Sequence, residues 1–247
     1  MRDPDARWRP ALVSARPTRD EMRRSPGRMA RGLYRRLNPM TLTPALIHDY
    51  DAQAVDRATT DTATFGLGCF WGPDARFGAM DGVVRTRVGY AGGTKPDPSY
   101  HSLGDHTEVL QVDFDPAVVT YRDLLADVFQ QHDPRTQPSK TQYQNVVFAS
   151  TPTQRTAIDS VLADRDETAA SIETRIEQLA RFHPAETYHQ KYRLRSMSSF
   201  LSVFEEAGYA DEDIRDSPIA AALNGYVAGH HVDVDAALPA PDQHPSG

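Results

Sequence analysis

Between residues 62 and 165 the chain alternates short stretches of two-residue apolar period with stretches of helical period, and this alternation limits its fold more than any other feature. Residues 62–68 place Phe65 and Leu67 on one face of a short strand, and Cys69 continues that parity at its end. Residues 70–80 follow as a helix, with Trp71, Ala75 and Phe77 or Met80 at helical spacing and Pro73 tolerated in the first turn. Residues 83–90 form a β-branched strand that breaks into Gly89, Gly92, Gly93, Pro96 and Pro98. Residues 106–114 alternate again. Thr120 and Asp123 start a helix with Leu124, Leu125, Val128 and Phe129 as its apolar stripe. Residues 145–149 form a strand, and Thr151, Pro152 and Gln154 open a helix striped by Ile158, Val161 and Leu162.

The first six elements follow the split βαβ order, which predicts an α+β, ferredoxin-like sandwich: an antiparallel or mixed sheet with helices on one side. Residues 184–208, with Tyr188, Tyr192, Leu194, Phe200 and Phe204, are expected to add C-terminal helices to it. The predicted organisation is a basic, disordered extension over 1–58, one domain over 59–231 and a flexible tail over 232–247. The extension carries eleven arginines against four acids in residues 1–40, a balance of +7 in a chain whose net charge is −7. It reads as a solvated arm or over-long start, with Met22, Met29 and Met40 as internal candidates, or else as a targeting arm or a tether to an anionic surface. The acidic remainder argues against a nucleic-acid binder, and no apolar run approaches the roughly 20 residues of a membrane span. A monomer is expected.

Cys69 is the only cysteine. It excludes an internal disulfide and a multi-cysteine zinc site, and it makes a reducing cytoplasm the expected setting; no metal is expected. The surrounding Gly66-Leu67-Gly68-Cys69-Phe70-Trp71 is no dinucleotide fingerprint, because Trp71 holds the third glycine position. A thiol between a strand end and a helix start is instead expected to favour thiolate, as a nucleophile requires, although a buried inert cysteine fits the same position. Glu108 shares parity with Leu110, Val112 and Phe114, which directs a carboxyl to the apolar face and suits a general acid; escape to solvent at the strand edge is the alternative. A cysteine hydrolase pairing Cys69 with His106 or His132 is a rival reading.

Gly68-Cys69-Phe70-Trp71-Gly72, Gly89-Tyr90-Ala91-Gly92-Gly93, Pro96-Asp97-Pro98-Ser99-Tyr100, His106-Thr107-Glu108-Val109, His132-Asp133-Pro134, Thr141-Gln142-Tyr143 and Pro184-Ala185-Glu186-Thr187-Tyr188-His189-Gln190 succeed one another in this order. Together they resemble the A-type peptide methionine sulfoxide reductases. The resemblance implies reduction of the S epimer of methionine sulfoxide, free or in oxidised proteins, through a sulfenic acid on Cys69. It implies Glu108 as proton donor, Tyr100 and Tyr143 as oxygen-holding hydroxyls, and Phe70 and Trp71 as walls for the substrate methyl group. Two departures stand out. Pro138, Ser139 and Lys140 replace a stretch that carries an aspartate in many members, and no resolving cysteine is present. With no bound cofactor expected, an external reductant (thioredoxin, glutaredoxin or a small thiol) must regenerate Cys69. A non-catalytic methionine-binding module on the same fold is the alternative function. Deleting residues 1–39 is expected to leave steady-state turnover of free methionine sulfoxide unchanged; a large loss would show that the arm supports the core.

Overall fold

The computed structural model describes residues 42–232. Its centre is the expected order of β1 (Asp61–Gly66), α2 (Trp71–Gly78), β2 (Val83–Ala91), β3 (Thr107–Phe114), α3 (Tyr121–Val128) and β4 (Val146–Ala149), followed by α4 (Pro152–Ala163). Chain-local signals set most of these boundaries. Thr120 and Asp123 form the reciprocal capping box of α3, while Thr151 caps α4 through the Gln154 N–H with Pro152 in its first turn.

The strands form one sheet in the order β5-β4-β1-β3-β2-β6, in which β5 (Arg175–Gln178) runs parallel to β4 and every other neighbour is antiparallel. β6 (His183–Pro184) is the short edge strand against Gly89 and Tyr90 of β2. One face buries Phe65, Leu110, Val112, Phe114 and Val147 against Leu124, Leu125 and Val128 of α3 and Ile158 and Leu162 of α4. The other carries a smaller cluster of Ala91, Val109, Val146 and Phe148 beneath Leu179 and Phe182. β3 therefore lies at the middle of the sheet with both faces covered, which is why Glu108, expected on an apolar face, is 1% exposed.

Two expectations need correction. Residues 184–191 are not α-helical: His183 and Pro184 pair with the edge of β2, a 3₁₀ turn spans Thr187–His189 and Lys191 adopts φ +53°, so α-helix begins only at α5 (Tyr192–Arg195) and α6 (Ser198–Glu206). The extension predicted over 1–58 is ordered in its last part. There α1 (Pro44–Gln53), capped by Thr43, buries Ile47, and a 3₁₀ turn spans Arg57–Thr59. Residues 1–41 and 233–247, which hold the rest of the extension and nearly all of the expected tail, lie outside the described residues. α7 (Asp211–Asp216) and α8 (Pro218–Val227) lie within the domain expected over 59–231, and every residue of α8 from Pro218 to Gly225 is buried.

α8 crosses α2 so closely that side chains are excluded at the crossing. A Cβ on Gly78 would lie 2.4 Å from the backbone oxygen of Ala221, and one on Gly225 would lie 2.6 Å from that of Ala75. Helix propensity favours alanine over glycine by about 1 kcal/mol, but overpacking against backbone costs about 1–3 kcal/mol. Gly78→Ala is therefore expected to lower the denaturant midpoint at unchanged slope, and a raised midpoint would contradict this packing.

Candidate active site

Gly68, at φ +71°, turns the chain from β1 into α2 and sets Cys69 immediately before Phe70, the residue that caps α2. A left-handed backbone costs a side-chain-bearing residue roughly 1 kcal/mol or more, which explains glycine here. Cys69 is exposed, whereas Phe70 is buried beside Tyr90 and His189. The Phe70 N–H donates to Oε2 of Glu108 at 3.2 Å, and the Gln142 side-chain amide donates to Oε1 at 2.6 Å. Gln142 is held in a 3₁₀ turn, Thr141–Tyr143, whose Thr141 carbonyl accepts from the Thr107 hydroxyl at 2.9 Å. One buried carboxyl thus ties the nucleophile's turn to the turn that carries Tyr143.

Tyr143 shares a side-chain hydrogen bond with Tyr100 and feels the charges of Glu108 and Cys69; burial, the Glu108 charge and that hydrogen bond push its hydroxyl up to about 12. Tyr100 is fixed from the other side. Glu186 accepts the Tyr100 N–H at 2.9 Å and the Tyr90 hydroxyl at 2.7 Å. The expected residues Cys69, Glu108, Tyr100 and Tyr143 are therefore assembled in one place, with Phe70 and Trp71 alongside.

Burial raises the Glu108 carboxyl above its usual range, against the opposing pull of the Gln142 and Phe70 hydrogen bonds and the Lys140 charge. The Cys69 thiol runs opposite to expectation. Desolvation pushes it up, the Glu108 charge adds to this, and neither the Trp71 N–H nor the Arg193 charge offsets the two. The helix start does favour thiolate through that N–H, but desolvation weighs more, and the Glu108 charge adds to it. Thiolate with a protonated carboxyl, and thiol with a carboxylate, are two placements of one proton.

Two aromatic neighbours were not singled out for roles in the sequence. Tyr192 stacks on Trp71 at 3.7 Å between centroids and 6° between planes. His189, 2% exposed, packs against Phe70, Trp71, Tyr100 and Tyr188, and neither ring nitrogen has a hydrogen-bond partner. Burial lowers the His189 pKa and keeps the ring neutral, as an apolar wall requires. Together with Glu186 they come from residues 186–192, whose side chains meet the site only through tertiary packing. The histidines of the hydrolase reading are engaged elsewhere: His106 bridges the Gly93 N–H and the Lys95 carbonyl, and His132 bridges the Val128 carbonyl and the Thr174 hydroxyl. Among the described residues no cluster of histidine, cysteine or carboxylate side chains could hold a metal ion, and no helix is long and apolar enough to cross a membrane.

Residues 61–212 match the family model described as peptide methionine sulfoxide reductase. The chain is 40% identical over 174 residues to the peptide methionine sulfoxide reductase of Drosophila melanogaster, covering 69% of this chain and 70% of that protein. Among solved structures it resembles methionine sulfoxide reductase A of Corynebacterium diphtheriae, with 29% identity, a TM-score of 0.50 and coverage of 61% of this chain and 82% of the other. It also resembles the reduced form of Mxr1 from Saccharomyces cerevisiae, with 33% identity, a TM-score of 0.50 and coverage of 56% and 86%.

The coupling between Cys69 and Glu108 has a measurable sign. Alkylation of Cys69 followed against pH is expected to titrate above the ordinary cysteine value of about 8.5. Glu108→Gln removes the neighbouring negative charge and is expected to move that midpoint down; an unchanged or higher midpoint would show that the carboxyl does not act on the thiol.

Proposed function

The chain belongs to the peptide methionine sulfoxide reductase family, and we propose that Cys69, Glu108, Tyr100 and Tyr143 carry out its reaction through a sulfenic acid. The enzyme is a peptide-methionine (S)-S-oxide reductase, which returns the S epimer of methionine sulfoxide to methionine. The observation that carries the assignment of roles is the hydrogen bond from Phe70 to Glu108, because it fixes a buried proton donor beside the residue that follows the nucleophile.

In this reading Sγ of Cys69 attacks the sulfoxide sulfur while the proton of Glu108 passes to the sulfoxide oxygen, on which negative charge develops. The Tyr100 and Tyr143 hydroxyls donate to the same oxygen, and Tyr143, held up to about 12, remains a donor at physiological pH. The oxygen then passes to Sγ. The substrate sulfur gains two electrons and leaves as methionine, and Cys69 loses two and becomes sulfenic acid. Phe70 and Trp71 wall the methyl group with flat apolar surface.

Recycling must come from outside, since the sequence holds one cysteine. An external thiol condenses with the sulfenic acid, releasing water and forming a mixed disulfide; a second thiol attacks that bond, frees Cys69 and leaves as a disulfide. A small cellular thiol with a glutaredoxin-like partner suits this route better than thioredoxin, which normally acts on a protein disulfide. We assign the enzyme to the cytoplasm as a monomer acting on free or protein-bound methionine sulfoxide, without nucleic acid, membrane or bound cofactor.

Intact mass spectrometry tests the route. Methionine sulfoxide added without reductant is expected to leave one extra oxygen on Cys69, and a small thiol is expected to convert it to a thiol adduct. Cys69→Ser should abolish turnover at an unchanged thermal midpoint, and Glu108→Gln should slow sulfenic acid formation by about 10²–10⁴-fold. Appreciable turnover in the serine variant, or no oxygen gain in the wild type, would overturn the assignment.

A further inference from the structure

Asn224 lies in α8, twelve residues beyond the segment matched by the family, and is completely buried. Its side chain spans two helices of the site. Nδ2 donates to Oδ2 of Asp74 at 3.0 Å, while Oδ1 accepts the N–H groups of Arg193 at 3.0 Å and Leu194 at 3.1 Å. Asp74 sits in α2 three residues after Trp71, and the two amides belong to the first turn of α5, which begins at Tyr192.

The first amides of a helix lack partners within it and need an acceptor from elsewhere. Lys191, which occupies the capping position of α5, makes no side-chain cap bond. Its side chain instead runs inward, with Nζ 2.5 Å from the Thr86 carbonyl and 3.7 Å from Oδ1 of Asp74, the atom that also accepts the Thr86 hydroxyl at 2.5 Å. Asn224 therefore caps α5 in place of its own N-cap residue and completes the partners of Asp74. The far end of the same link is the Trp71–Tyr192 stack, one ring from each joined helix.

We propose that Asn224 is a positioning residue that sets the spacing of Trp71 and Tyr192, and through it the affinity for methionine sulfoxide. The effect on affinity rests on the proposed role of Trp71 as a wall of the substrate site; the effect on spacing does not. The link transmits position because Asn224 and Asp74 are completely buried and both polar atoms of the Asn224 side chain are paired. Without Asn224, two amides and a carboxylate oxygen lose their partners, and α5 is free to shift against α2.

The test uses the full-length protein carrying Trp8→Phe, which leaves Trp71 as its only tryptophan. Asn224→Ala is expected to move Trp71 emission to longer wavelength and to raise KM about three- to tenfold, the size of one weakened aromatic contact, with kcat within about twofold. Asn224→Asp keeps the acceptor for α5 but turns a second carboxylate on Asp74, so it is expected to disturb emission and KM in the same direction; it carries the comparison if the alanine variant does not fold. A stabilising role alone would shift the thermal midpoint and leave emission and KM where they were. Unchanged emission and KM in a folded Asn224 variant would overturn the proposal. Trp71→Ala serves as reference: if it leaves KM unchanged the wall reading fails, while emission still reports whether Asn224 sets the stack.

Discussion

The site depends on keeping one carboxyl inside the middle of a sheet. β3 is flanked by β1 and β2 and covered on both faces, so Glu108 can satisfy its oxygens only with neighbours held in place. The Phe70 N–H ties it to the turn before α2 and the Gln142 amide ties it to the 3₁₀ turn before β4. Position and protonation thus have one cause. An unpaired buried carboxylate would cost several kcal/mol, so the group holds its proton above the usual range, and the same burial fixes where that proton can be delivered.

What could be read from the chain follows from where the structural information is stored. β1, α2, β2, β3, α3 and β4 were legible because each has one buried face and local punctuation, such as the Thr120 capping box and Pro152 at the start of α4. β5 was not, since its Arg175 and Glu177 carry no apolar period and its place is set by parallel pairing with β4. Nor was β6, two residues held by an edge. At the site, Cys69, Phe70, Trp71, Tyr100, Glu108 and Tyr143 stand within motifs, whereas Gln142, Glu186, His189 and Tyr192 acquire their places only from tertiary packing. The sign of the Cys69 shift was missed because the helix start is local and visible, while the desolvation that outweighs it, and the Glu108 charge that adds to it from a strand 39 residues later, arise only from tertiary packing.

The segments flanking the family-matched region are part of the same body. Asp51 of α1 accepts the Ile219 N–H and the Tyr209 hydroxyl, each at 2.9 Å, and so joins the helix before the sheet to the last one. α8 then supplies Asn224 to Asp74, a carboxylate with 0% exposure that also faces the equally buried Lys191. Removing one partner of such a buried pair typically costs about 3–5 kcal/mol, far more than a surface ion pair contributes. α8 is accordingly tied to this buried pair through the Asn224 side chain.

The upward shift of Cys69 bears on chemistry outside the reaction itself. Peroxides attack thiolates, and a cysteine that holds its proton at rest is a poor target for them even when it is exposed. In the proposed reaction methionine sulfoxide differs in arriving where Glu108 passes it a proton, so the thiol becomes reactive in company with the substrate. The selectivity ends once oxygen has been transferred. With no second cysteine in the sequence to trap it, the proposed sulfenic acid stays open to solvent until a thiol arrives, and an oxidant that arrives first carries it to the sulfinic acid, which ordinary thiols do not reverse. The enzyme's working life under oxidative load is therefore set by a race between external thiol and external oxidant at a single sulfur atom.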